Sequence, residues 1–140
     1  MTRQLPHSTK AATTARPEQA IHKAVVAHLR QRGVPGLVFW HTPNGVRGRS
    51  RMHHVQGAIA KGMGVRAGVS DLVLLHRGRA YALELKAPTG PPTVEQMEFV
   101  SDFDRAGGYA CIADDLDRAL RVLETWGLLR GQAAVAGSTR

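Results

Sequence analysis

Acidic residues are almost missing from the first half of this sequence: residues 1–70 hold eleven Lys and Arg against one acid, Glu18. Cysteine is nearly missing throughout. Cys111 is the only one in 140 residues, which excludes an internal disulfide and a thiolate zinc site, and its neighbours make it a buried strand residue. Aromatics are few, and neither Trp40 nor Trp126 stands in an aromatic run that would stack on bases, so both are expected in the core. No apolar run approaches the roughly 18 residues a membrane-spanning helix needs, so no membrane association is expected. The N-terminal residues are rich in Thr, Arg and Ala and lack an apolar signal core, so a cytoplasmic location is expected. There is no internal repeat.

What is present is charge, unevenly placed. The net charge is +8, with +10 in residues 1–70 and −2 in residues 71–140, where ten acids outnumber eight bases. A basic half joined to a mildly acidic one suggests a polyanion partner and a separate carboxylate site. The length is that of one domain with one core. Residues 1–15 read as a disordered basic arm, 16–130 as the folded domain and 131–140 as a flexible tail.

Within the domain the pattern alternates between helix and strand. Pro17 and Glu18 suit a helix start. Ile21, Ala24, Val25, His28 and Leu29 recur at helical spacing until Gly33, which puts Glu18 on the inward edge of that helix. A strand is predicted at 37–40, a helix at 52–61, strands at 71–75 and 80–86 around an Arg77-Gly78 turn, and a helix from a Thr93/Gln96 capping box to about Ala106. A strand at 109–113 follows, then a helix capped by Asp114 with Leu116, Ala119, Leu120 and Leu123 facing in. Gly62, Gly64 and Gly68 superficially offer a dinucleotide fingerprint, but they lead into a strand rather than out of one, which excludes that reading. The order implies an α/β fold, a mixed sheet flanked by helices.

The central hairpin carries the chemistry. If its turn is symmetric about Arg77-Gly78, paired residue numbers sum to 155, and Asp71 falls opposite Glu84. Opposed side chains on an antiparallel pair share a face, and two carboxylates there repel unless a cation lies between them. Lys86, two residues beyond Glu84, points to the same face, while Tyr81, Leu83 and Leu85 point to the core. Mg²⁺ is held by a few carboxylates with water and phosphate oxygens, and it can activate water and stabilise charge on a scissile phosphate. Asp71, Glu84 and Lys86 therefore suggest metal-dependent phosphodiester cleavage. Arg47, Arg49, Arg51, Lys61 and Arg66 form a one-sided cluster expected to track phosphates. Asn44 either lines that groove or serves its turn. The histidines, His53-His54 included, show no ligand spacing.

The order Asp, twelve residues, Glu-X-Lys is the signature of the PD-(D/E)XK nuclease superfamily. The surrounding stretches, Gly64-Val-Arg-Ala-Gly-Val-Ser-Asp71, then Leu83-Glu-Leu-Lys-Ala-Pro-Thr-Gly90, then Thr93-Val-Glu-Gln96, resemble its VRR-NUC (virus-type replication-repair nuclease) branch over about residues 17–126. The resemblance implies a restriction-endonuclease-like core. It implies Asp71 and Glu84 as ligands of Mg²⁺ (or Mn²⁺), with the Leu85 carbonyl as a further ligand, and Lys86 as the catalytic lysine. Gln96 matches the glutamine after the motif, and Glu18 the acid of the first helix. Ser70 departs from the pattern, standing where the superfamily has proline. The family's single-domain members imply a homodimer acting on branched DNA such as four-way (Holliday) junctions. Read from spacing alone, Glu18 is equally a first-turn acid and Gln96 equally a capping-box partner. A catalytically silent DNA-binding module and a restriction-type nuclease are the alternatives.

Overall fold

A computed structural model describes residues 17–43 and 51–131, with the side chains of 51–55 outside that description. The proposed N-terminal arm, nearly all of the C-terminal tail, and Asn44, Arg47 and Arg49 lie outside the described residues. So do the side chains of Arg51, His53 and His54.

The elements run α1 (Pro17–Arg32), β1 (Val38–His41), α2 (Arg51–Gly62), β2 (Leu72–His76), β3 (Arg79–Leu85), α3 (Val94–Arg105), β4 (Tyr109–Ala113) and α4 (Leu116–Thr125). This is the order the sequence pattern predicts. The four strands form one sheet in the order β1-β2-β3-β4. The first two junctions are antiparallel and the third, β3 with β4, is parallel. A parallel neighbour requires a long crossover, and α3 supplies it.

The hairpin between β2 and β3 turns on two residues with positive φ, Arg77 at 49° and Gly78 at 75°. That is the type I′ geometry whose twist matches the flanking strands. Its register pairs Leu72 with Leu83, Val73 with Ala82 and Leu74 with Tyr81, so every pair sums to 155.

Side chains alternate across β3, and each face has its own cover. Tyr81, Leu83 and Leu85 join Leu72 and Leu74 of β2, Val25 and Leu29 of α1, and Ala119 and Leu123 of α4 in the main core. Glu84 points the other way and meets Gln96 of α3. The sheet is thus a layer between α1 and α4 on one side and α3 on the other.

After α4 the chain returns to the end of α1. Leu129 bridges Gly33, and the N–H of Arg130 donates to the Arg32 carbonyl at 2.9 Å. Arg32 is buried there, donating to His28 at 3.1 Å and to Glu124 at 2.8 Å.

Four local expectations are corrected. Asp115, not Asp114, caps α4, its side chain accepting from the Arg118 N–H at 2.7 Å. Trp40 is 45 % exposed, because β1 is an edge strand and its outward face has no helix over it among the described residues. Cys111 is half-buried, as β4 is the other edge. Glu18 is exposed, as is the whole first turn of α1, so it does not lie on a buried face.

Candidate active site

The site forms where β2 begins and β3 ends. Asp71 precedes β2 by one residue, and Glu84 lies opposite it by continuation of the hairpin register. Backbone and side chain interlock: the Asp71 N–H donates to Glu84 Oε2 at 3.1 Å, and the Leu85 N–H donates to Asp71 Oδ2 at 2.9 Å. Each carboxylate therefore holds the other's strand, and the two sit side by side.

Glu84 is only 2 % exposed. Its carboxyl is pushed up to about 8, first by burial and then by the charge of Asp71, with Lys86 acting in the opposite sense. Lys86 is 7 % exposed, at the point where its N–H donates to the Ala113 carbonyl of β4 at 2.8 Å. Its side chain forms part of the wall of an open groove shared with Gly90, Pro91, Asp114 and Arg118.

Gln96 unites two sequence readings that look like rivals. The Thr93 N–H donates to Gln96 Oε1 at 2.9 Å and the Gln96 N–H donates to Thr93 Oγ1 at 3.2 Å, which completes the capping box. Gln96 Nε2 then donates to Glu84 Oε1 at 2.6 Å. A backbone N–H can only donate, so the amide oxygen must face Thr93 and the amide nitrogen must face Glu84. One side chain both starts the helix and orients the glutamate.

The glycine-rich approach contributes shape. Gly68 has a φ of +78°, and a Cβ there would overlap the Glu95 backbone carbonyl. Only glycine lets this loop close against the start of α3. Ser70 is wholly buried, and its Oγ finds no hydrogen-bond partner among the described residues.

The remaining sequence candidates are less tightly joined to the carboxylates. Glu18 Oε1 accepts the Ala87 N–H at 3.3 Å, so it meets the loop directly after Lys86. Arg66 is committed to α3: its guanidinium lies 2.6 Å from Asp102 and 5.3 Å from the centre of the Phe99 ring. That hydrogen bond from Arg66 holds the exposed Asp102 carboxyl below the usual range. Lys61 is exposed in the last turn of α2.

A second grouping has no counterpart in the sequence pattern. His22 of α1, His41 at the end of β1 and Asp71 bring one donor atom each within 4.8 Å of one another. The three come from separate elements, so no spacing motif links them.

Two carboxylates and a strand-end carbonyl are the hard oxygen donors that Mg²⁺ takes, so Asp71, Glu84 and Leu85 fit such an ion chemically. Among the described residues, no helix is long and apolar enough to cross a membrane.

No protein-family model and no curated protein matches the chain. Solved structures do. A chain described as a VRR_NUC domain protein superposes with a TM-score of 0.64 at 20 % identity, covering 81 % of this chain and 89 % of that one. A second, described as a VRR_NUC domain, reaches 0.55 at 17 % identity, covering 80 % and 99 % respectively. Identity this low leaves the backbone arrangement as what is shared. The chain has the restriction-endonuclease-like α/β fold seen in these VRR_NUC domains.

Proposed function

We propose that this protein is a metal-dependent DNA endonuclease acting on branched DNA such as four-way junctions, as a homodimer. The observation that carries the reading is the pair of interlocked carboxylates, Asp71 and Glu84, with Lys86 on the same strand end. A buried and a half-buried acid at a strand end, beside a lysine and in a chain with a basic half, match what phosphodiester hydrolysis requires.

In this reading Asp71, Glu84 and the Leu85 carbonyl hold Mg²⁺ or Mn²⁺. When bound, the ion lowers the pKa of a water and neutralises charge on the phosphate. Glu84 would have to be deprotonated to serve as a ligand, and Gln96 orients its carboxyl from the α3 side. The Lys86 ammonium, at the groove wall, meets charge as it develops on the scissile phosphate. Glu18 steadies the loop that follows Lys86. Lys61, Arg66, Asn44 and the arginines at 47, 49 and 51 are the residues this reading assigns to phosphate contact, Arg66 by exchanging Asp102 for a phosphate. A symmetric dimer would present two sites for paired cuts.

The test incubates a labelled four-way junction and a linear duplex with wild-type protein, with Mg²⁺ or with EDTA. Cleavage of the junction in Mg²⁺ alone is expected. Asp71→Ala and Glu84→Ala should bind DNA without cutting it, and Lys86→Ala should cut about 100-fold more slowly. Binding with no cutting under any divalent ion would leave a silent DNA-binding module. Cuts at fixed sequences in linear DNA would leave a restriction-type nuclease. Sedimentation of the full chain checks the dimer.

A further inference from the structure

The grouping of His22, His41 and Asp71 lies on the other side of Asp71 from Glu84, where β1 pairs with the start of β2. His41 Nδ1 is 2.8 Å from the Asp71 carbonyl oxygen, which also accepts the Thr42 N–H at 2.8 Å. A carbonyl cannot donate, so Nδ1 must carry the hydrogen. In the neutral ring Nε2 then presents a lone pair. This is the arrangement by which metal-binding histidines are fixed: one nitrogen donates to a backbone carbonyl and the other is left for the ion.

His22 meets that ring from α1, edge-on, with ring centres 4.4 Å apart and planes at 74°. Packing of two rings would need no carboxylate beside them, yet an Asp71 oxygen completes the cluster.

We propose that His22, His41 and Asp71 form a second cation site that takes a Zn²⁺-class transition ion rather than Mg²⁺. Imidazole nitrogens favour Zn²⁺ and its neighbours, while Mg²⁺ prefers oxygen alone. Ligand atoms about a tetrahedral Zn²⁺ sit roughly 3.3 Å apart, given bonds near 2.0–2.1 Å. The three donors, within 4.8 Å of one another, would draw in to that spacing on binding the ion. Three protein ligands leave one position open to water or to an oxygen of a bound molecule. The site shares Asp71 with the proposed Mg²⁺ site, but it is tested apart from the nuclease reading, because occupancy needs neither DNA nor turnover.

The experiment titrates metal-free, full-length protein with Zn²⁺ and follows the imidazole nitrogen signals by NMR. His22 and His41 should shift with the first equivalent. His28 and His76, whose rings face Arg32 and the Pro35 carbonyl, should not. His22→Gln and His41→Gln should each weaken Zn²⁺ binding by about tenfold or more, and His76→Gln should leave it within about threefold. The wild-type signals need no variant to fold. Unmoved His22 and His41 signals at saturating Zn²⁺ overturn the proposal, as does wild-type affinity in the double variant. If Zn²⁺ binds as expected while junction DNA stays uncut in Mg²⁺, this site stands and the nuclease reading falls.

Discussion

Gln96 Nε2 donates to Glu84 Oε1 at 2.6 Å, tying the first turn of α3 to the central strand of the sheet. The bond orients the buried glutamate, and the same amide caps the helix. Two substitutions separate these duties. Gln96→Ala removes both and should cost about 1–3 kcal/mol by urea unfolding, since two buried or partly buried partners lose a hydrogen bond. Gln96→Glu can still accept from the Thr93 N–H but sets a like charge against Glu84 once Glu84 loses its proton. It should retain more stability than Gln96→Ala at neutral pH while binding Mg²⁺ more weakly by calorimetry.

Glu84 makes stability depend on pH in a defined sense. Its folded pKa, about 8, lies above its usual 4.5, so the folded state holds this proton more tightly than the unfolded chain. Its contribution is complete below the unfolded value and is lost as pH rises through 8. Glu84→Gln fixes the uncharged form but loses one of two acceptors, since both Glu84 oxygens accept N–H groups. In metal-free buffer the melting temperature of wild type should therefore fall relative to the variant's between pH 5 and pH 9. Parallel melting curves for the two proteins at every pH would show that Glu84 titrates normally.

Gly68 is the hinge of the approach loop. At a φ of +78°, an added Cβ would strike the Glu95 carbonyl and come within 2.7 Å of the Gln96 nitrogen. Gly68→Ala should cost about 2–4 kcal/mol by urea unfolding, from backbone strain and overpacking together. Gly64 is also at positive φ, but a Cβ added there would meet nothing within 4 Å. Gly64→Ala should therefore pay the conformational cost alone, about 1 kcal/mol.

Arg32 holds the return of the chain after α4. Its side chain is 4 % exposed, whereas its partner Glu124 is 41 % exposed. Removing the buried member should hurt far more than removing the wetter one. Arg32→Leu should lose about 2 kcal/mol or more in chemical unfolding, because the Arg130 carbonyl and His28 also lose their donor. Glu124→Gln should lose under about 1 kcal/mol.

Lys61 stands exposed at the end of α2. If it meets a phosphate, Lys61→Ala should reduce the salt dependence of DNA affinity by about one counterion, equally for junction and duplex. Fluorescence anisotropy over a series of salt concentrations reads that slope.

Much of the hairpin is legible in the sequence because its determinants are local. A two-residue turn sets the register, and the twofold alternation of a strand then puts Asp71 opposite Glu84. The Thr93/Gln96 capping box is likewise legible from four consecutive residues. The exposure of Trp40 is not legible, because apolar character does not reveal whether a strand ends up at the edge of its sheet. Nor is that of Glu18, because helical spacing does not say what packs over the first turn of a helix.

The sequence by itself determined the element order, the charge division, the central hairpin and the carboxylate pair, since each depends on contacts between chain neighbours or on composition. Only tertiary structure decided that Gln96 reaches Glu84, that Arg66 is spent on Asp102, and that His22 and His41 converge on Asp71. Those meetings join residues from separate elements. Their distances are set by how helices pack on a twisted sheet, and no periodicity along the chain encodes that packing.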